Sequence, residues 1–240
     1  MEATVSITGP ATEAITGAIP GAIIGLVLGL IANLVSEAFL TLDPMMHLPV
    51  QRLLPRQRQL RLLRWVMAFV GLGIVGASNT HGMPWDRLIA ITLMTVTAST
   101  DFECRLLPPG WFIYSAVIFG VISPVFRAGI SGVIDSAVVQ ALCFGLGVLF
   151  ALLSRGRSTT MDPGDIRALQ QLGSAAGSLP LLWIVVFGFS ALYLVMHGAF
   201  TVARRKLTAI PLATVVWSGL IVMPLTTYAL ASVLRQVLSQ

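Results

Sequence analysis

The chain has 240 residues, of which 56% are hydrophobic and only 10% are charged, and its mean hydropathy is +0.87. Soluble domains carry about 25% charged residues, so this chain is too poor in charge to cover a globular surface and is predicted to be an integral membrane protein. The formal charge of +5 comes from short basic clusters between apolar runs, which argues against a nucleic-acid-binding face, and the two isolated cysteines argue against a structural zinc site.

Apolar runs divide the chain into predicted membrane spans, each of which needs about 20 apolar residues. The first predicted span covers residues 14–40, and because no basic segment and cleavage site surround it we expect it to be retained. The following apolar runs cover residues 65–77, 88–99, 111–126, 133–153, 179–196 and 210–233. A half-polar helix is predicted at residues 165–177, after a polar loop at 154–164.

The basic residues predict the topology if the N-terminus lies outside. The cytoplasmic segments then contain Arg52, Arg56, Arg58, Arg61, Arg64, Arg105, Arg155, Arg157, Arg167, Arg204, Arg205 and Lys206, whereas only Arg87, Arg127 and Arg235 lie outside. This positive-inside distribution requires residues 165–177 to cross the membrane, which leads to about eight spans, with six to eight compatible with the hydropathy. Because backbone groups in the bilayer must pair internally, we predict one all-α, multi-pass domain over residues 1–240, with a short basic cytoplasmic loop at 42–64.

Small residues follow one face of the first span. Gly17, Gly21, Gly25 and Gly29 recur every four residues, which predicts close packing against another helix. Glu37, near the end of this span, is expected to meet the basic segment that follows.

Two aspartates stand out because both are predicted at the cytoplasmic edge of the hydrocarbon. Asp101 ends the third span and Asp165 opens the half-polar helix. Ionisable groups near membrane depth are expensive and tend to be functional, although each could also be an ordinary helix-end charge. Two neighbouring carboxylates can activate a water molecule, because like charges held close separate their pKa values into a base and an acid. The helix dipoles favour Asp165 as the base and Asp101 as the acid, in a pair that titrates as a unit.

Asp101 is followed by Leu-Pro at 107–108, and Gly-Asp-Ile-Arg at 164–167 is followed by Leu-Gly at 172–173. These two stretches resemble the first and second catalytic motifs of the type IV prepilin peptidases, which are aspartic membrane leader peptidases with a Gly-x-Gly-Asp motif. The stretch at 29–35 resembles part of their first span, and Ile-Pro-Leu at 210–212 resembles the start of their last. The resemblance runs in the family's order from about residue 29 to about residue 215 and implies a catalytic pair of Asp101 and Asp165, supported by Gly164, Arg167 and Pro108.

The sequence also departs from that family. Asp162 and Pro163 stand where the family has Gly and a variable residue, Pro109 replaces an acidic residue, and Arg167 replaces a lysine. Residues 43–64 contain no cysteine, whereas many family members carry a four-cysteine zinc-binding domain there. That domain is associated with N-methylation by S-adenosylmethionine, so this cofactor is in doubt here, while proteolysis needs none.

The resemblance implies the substrate and its partners. Prepilins and pseudopilins carry a short basic cytoplasmic leader followed by an apolar membrane helix, and the cleaved bond lies between them. The expected partners are these substrate helices and membrane lipids, without nucleic acid. Basic leaders would be repelled by the basic residues at 52–64, which we expect to face anionic lipid headgroups.

Three alternatives remain open. An inactive homologue could serve as a scaffold of a pilus or secretion machine, as the altered residues 162–163 suggest. An ion or proton transporter would use membrane aspartates as relays, but both aspartates are predicted on one side and no repeated half is visible. A cysteine peptidase would need Cys104 beside His47, and nothing in the sequence brings them together.

Overall fold

The structure, a computed structural model, describes residues 10–42, 55–79, 84–104, 107–153 and 163–178 together with positions 182 and 221. These residues form six helices: α1 (Pro10–Leu42), α2 (Pro55–Asn79), α3 (Trp85–Cys104), α4 (Gly110–Ile122), α5 (Val125–Leu153) and α6 (Pro163–Ala176). The described ranges contain no β-strand, so the all-α prediction is confirmed.

Within the described ranges, three helical segments are long and apolar enough to cross a membrane. They are Ala18–Thr41 in α1, Gln59–Ala77 in α2 and Val125–Leu153 in α5, and the apolar α4 is shorter. Their length and composition identify a membrane protein. They do not establish the predicted number of about eight spans. The two last predicted spans, at 179–196 and 210–233, lie outside the described residues apart from positions 182 and 221.

The second helix begins well before its apolar stretch. We predicted a span from residue 65, but α2 starts at Pro55, so the second half of the basic segment is helical. Proline is favoured at the first helical position, and the Arg, Gln and Leu residues that follow are good helix formers. The basic residues of 56–64 therefore belong to a helix that continues into the apolar stretch.

The boundary between the fourth and fifth helices also differs from the prediction. We expected one span to reach residue 126 and the next to begin at 133, but α4 ends at Ile122 and α5 begins at Val125 after a tight turn. The amide of Ser123 donates to the carbonyl of Phe119 at 2.8 Å. A kink follows at Gly129, whose φ of 62° is a left-handed conformation that favours glycine.

Helices α1 and α2 approach each other through their backbones, which confirms the prediction from the glycine spacing. A side chain at Gly25 would collide with the backbone of Leu72, and one at Gly76 would collide with the backbone of Gly21. At Gly29 a Cβ atom would lie 2.9 Å from the carbonyl oxygen of Ala68. The absence of side chains is therefore what allows the two helices to pack.

Replacing Gly25 by alanine is expected to destabilise the protein by about 1–3 kcal/mol, because the added methyl group meets backbone atoms that cannot move aside. Gly145, in α5, is the matched control, since no atom lies within 4 Å of its Cβ position. Thermal unfolding in detergent micelles would compare the two variants. Equal midpoints for Gly25→Ala and Gly145→Ala would contradict the packing argument.

Helix α6 is the half-polar helix of the sequence, and α3, α4 and α5 pack around it. Its residues 171–176 are all buried. A Cβ atom at Gly173 would lie 3.1 Å from the Cys143 thiol, and one at Gly120 of α4 would collide with Ser174. Small residues therefore occupy this part of α6, because neighbouring helices contact it closely. The helix ends at Ala176, and Gly177, with φ 59°, follows it.

Candidate functional site

The two predicted catalytic aspartates lie on neighbouring antiparallel helices. Near the beginning of α3, the guanidinium of Arg87 donates to the carbonyl of Ala176 at the end of α6. Further along, the hydroxyl of Thr97 donates to the Gln171 side-chain oxygen at 2.7 Å. The end of α3 therefore lies beside the start of α6.

Because of this register, Asp101 and Asp165 lie at similar positions along the axes of the two helices. Asp101 follows Thr97 by four residues, which is about 6 Å along a helix, and Asp165 precedes Gln171 by six residues, which is about 9 Å. Asp101 is buried, with 9% of its surface exposed, and Asp165 is half-buried. We call the part of the bundle that contains both residues the aspartate end.

Leu107, six residues after Asp101, packs against the start of α6. A Cβ atom at Gly164 would lie 2.8 Å from Leu107 Cδ1, so a larger residue would displace that leucine. Pro108 is buried, and Pro109 is the N-cap residue of α4 with φ −50° and ψ 142°. The two stretches that resemble catalytic motifs are thus in direct contact, through Leu107 and Gly164.

Arg167 has a defined place beside the same segment. Its guanidinium carbon lies 5.5 Å from the centre of the Tyr114 ring, a cation–π geometry. One of its nitrogens is 3.6 Å from the Cβ position of Gly110. Arg167, two residues after Asp165, therefore connects the first turns of α6 to the beginning of α4.

The two aspartates occupy the helix ends that the sequence predicted. Asp165 lies in the first turn of α6, which begins at Pro163, where the partial positive charge of the helix N-terminus favours a carboxylate. Asp101 lies in the last turn of α3, where the opposite end of the dipole disfavours one. Asp162, the unusual residue of this motif, lies outside the described residues.

Four charged residues form an ion-pair network at the aspartate end: Glu37, Arg61, Arg64 and Glu103. Arg61 lies 2.9 Å from Glu37 and 3.0 Å from Glu103, and Arg64 lies 2.6 Å from Glu37 and 3.2 Å from Glu103. The Arg64 and Glu103 side chains are only 1% and 4% exposed. Arg61 and Arg64 of α2 thus each connect α1 to the end of α3, where Glu103 lies two residues beyond Asp101.

The network was only partly visible in the sequence. The expected contact of Glu37 with the basic segment is confirmed, but Glu103 was missed as a partner. The available signal was the spacing of Arg61 and Arg64, which places two cations on one helical face.

Thr97 and Gln171 were also missed, and their hydrogen bond connects the two helices that carry the aspartates. Both side chains are fully buried. Replacing Thr97 by valine should cost about 1 kcal/mol, because the Gln171 oxygen loses its donor.

The matched control for Thr97→Val is Thr92→Val on the same helix, since Thr92 donates only to the carbonyl of Leu88 within α3. Unfolding in micelles should show the larger loss for Thr97→Val and a partial recovery when Gln171→Leu is added. A Thr97→Val variant as stable as Thr92→Val would contradict a stabilising contact between α3 and α6.

Other predicted chemistry is not brought together in the described part of the chain. His47, the proposed partner of Cys104, lies outside it, as do Arg105 and the basic cluster at 204–206. Within the described ranges, no group of three or more His, Cys, Asp or Glu side chains has a geometry suited to a metal ion.

A scan against protein-family models, a search of curated proteins and a search of solved structures each find no match to this chain.

Proposed function

We propose that this chain is a membrane aspartic endopeptidase that removes the short basic leader of type IV prepilins or pseudopilins. The observation that supports it best is the contact between the two motif-like stretches, with Leu107 packed against Gly164 and an aspartate near each. The register of α3 and α6, which sets Asp101 and Asp165 at similar levels of the bundle, supports the same proposal, since an aspartic peptidase needs two neighbouring carboxyl groups.

In this proposal a water molecule is activated between the two carboxyl groups. Asp165, ionised at the start of its helix, takes a proton from the water as its oxygen attacks the carbonyl carbon of the scissile bond. Asp101, protonated, donates its proton to the carbonyl oxygen. The tetrahedral intermediate breaks when Asp165 passes its proton to the leaving nitrogen and a hydroxyl proton returns to Asp101, which restores both groups.

The proposed reaction takes place at the cytoplasmic face of the inner membrane, where a prepilin leader meets its membrane helix. A basic leader would be repelled by free arginines of the basic segment, and the ion-pair network reduces this repulsion. Arg61 and Arg64 would repel a basic leader if they were free, but each is paired with Glu37 and Glu103. Because two arginines face two glutamates, the network carries no net charge.

Co-expression with candidate prepilins and pseudopilins tests the proposal. Loss of the leader in the presence of the wild-type chain, seen as a smaller pilin by mass spectrometry, is the expected result. Failure to process any of several substrates would instead favour a scaffold role, to which the unusual residues 162–163 also point. Ion flux into liposomes that disappears with Asp101→Asn would favour a transporter.

A further inference from the structure

A second feature lies far from the aspartates, near the beginning of α3. It is an open cleft of about 730 Å³ between the start of α3, the end of α4 and the start of α5. Trp85, at its edge, precedes Asp101 by 16 residues, or about 24 Å along the helix. The cleft therefore belongs to the opposite end of the bundle and takes no part in the proposed cleavage.

The walls of this α3–α4 cleft are mainly apolar. Ile89 contributes from α3, Phe119 and Ile122 from α4, and Phe126 from α5. Phe126 is 91% exposed and Trp85 54% exposed. Tryptophan at the end of a membrane bundle typically lies at the level of the lipid headgroups, so from Trp85 the cleft extends from that level along the apolar helices.

A loosely paired anion and cation line the same cleft. Arg127 Nε lies 3.8 Å from Asp86 Oδ1, which is longer than a hydrogen bond, and the two side chains are 44% and 16% exposed. The neighbouring Arg87 is buried and donates to the Ala176 carbonyl, so it does not compete for a ligand. An apolar cleft with one accessible cation and one accessible anion is complementary to a zwitterionic amphiphile.

We propose that the α3–α4 cleft binds phosphatidylethanolamine. The Arg127 guanidinium would donate to the lipid phosphate, and the lipid ammonium would donate to the Asp86 carboxylate. An acyl chain would cover Ile89 and Ile122. Phosphatidylglycerol has no ammonium group for Asp86, and the trimethylammonium of phosphatidylcholine cannot donate a hydrogen bond. Asp86 and Arg127 thus select the headgroup, and the apolar walls of the cleft contact the acyl chain.

Native mass spectrometry of the full chain, purified in detergent and delipidated, would measure the binding of added phosphatidylethanolamine. Arg127→Gln and Asp86→Asn should each weaken binding by roughly three- to tenfold, because each removes one charge-assisted hydrogen bond at a partly exposed site. Asp135→Asn is the control. It neutralises an exposed carboxylate on α5 outside the cleft and should leave the affinity for the lipid unchanged.

A second variant is needed because Arg127→Gln or Asp86→Asn could weaken lipid binding by unfolding the protein. This variant fills the cleft and leaves the ion pair in place. Ile122 is 53% exposed, so Ile122→Trp should fold, occupy the apolar wall and reduce lipid binding while keeping Asp86 and Arg127. Preference for phosphatidylglycerol over phosphatidylethanolamine would overturn the proposal in favour of an anionic lipid held by Arg127 alone. Equal binding by wild type, Arg127→Gln and Ile122→Trp would overturn it as well.

Discussion

Asp101→Asn and Asp165→Asn are each expected to lower the rate of leader removal by about 10²–10⁴-fold, the range over which positioned acids and bases accelerate reactions. The amide cannot accept the proton of the attacking water or give one to the carbonyl oxygen. Asparagine has nearly the size of aspartate, so the buried position of Asp101 should tolerate it. Processing would be followed in membranes by the mass of the pilin, with the amount of peptidase measured in parallel.

The effects of the two substitutions should not add. If the carboxyl groups act on one water, Asp101→Asn and Asp165→Asn together should cost little more than either alone. Asp135→Asn on the exposed face of α5 is the matched control and should process normally. Leader removal that survives Asp165→Asn at wild-type levels would exclude that residue from the chemistry, and with it the proposed pair.

Arg64→Met should destabilise the protein by about 3 kcal/mol or more, because it leaves the buried Glu103 carboxylate short of one partner in a poorly solvated place. Arg61 provides a close comparison within the same helix. It contacts the same two glutamates, but its side chain is 25% exposed whereas that of Arg64 is 1% exposed. Arg61→Met also removes a partner from Glu103, but water can reach the vacated place at this partly exposed side chain, so it should cost less, about 1–2 kcal/mol.

Denaturant unfolding of Arg64→Met and Arg61→Met in the same micelles would measure the difference. Adding Glu103→Gln to Arg64→Met should recover part of the loss, since the remaining arginine of the network, Arg61, then faces one glutamate instead of two. Equal stability losses for the two arginine variants would show that burial does not control the strength of this network. If Arg64→Met also slowed cleavage, Asp101 would depend on the network for its position.

Several features of this protein could be predicted from local sequence, because each depends on residues close together in the chain. Low charge and long apolar runs are sufficient for a membrane protein made of helices. The glycine spacing of α1 predicted the face that packs on α2, since a four-residue repeat returns to one side of a helix. The aspartates were visible as charges at the ends of predicted helices, and their helix positions agree with the structure.

Local patterns were less informative where polar residues extend a helix or are buried by its neighbours. Hydropathy placed the start of α2 near residue 65 because it detects apolar stretches, whereas the helix continues outward through basic residues to Pro55. Hydropathy alone also did not identify α6 as a membrane span. Its polar residues are buried because α3, α4 and α5 surround it, and their own polar groups meet its side chains.

By itself, the sequence determined the all-α class, the face of α1 that packs on α2 and the two aspartates as residues of interest. Only the tertiary structure decided which distant groups meet. Thr97 donates a hydrogen bond to Gln171, 74 residues away in the sequence, and Arg61 donates one to Glu103, 42 residues away. Such pairs depend on the register between helices, which is set by many side-chain contacts at once and leaves no local spacing in the chain. The contact of Leu107 with Gly164, on which the proposed peptidase site depends, belongs to this second group.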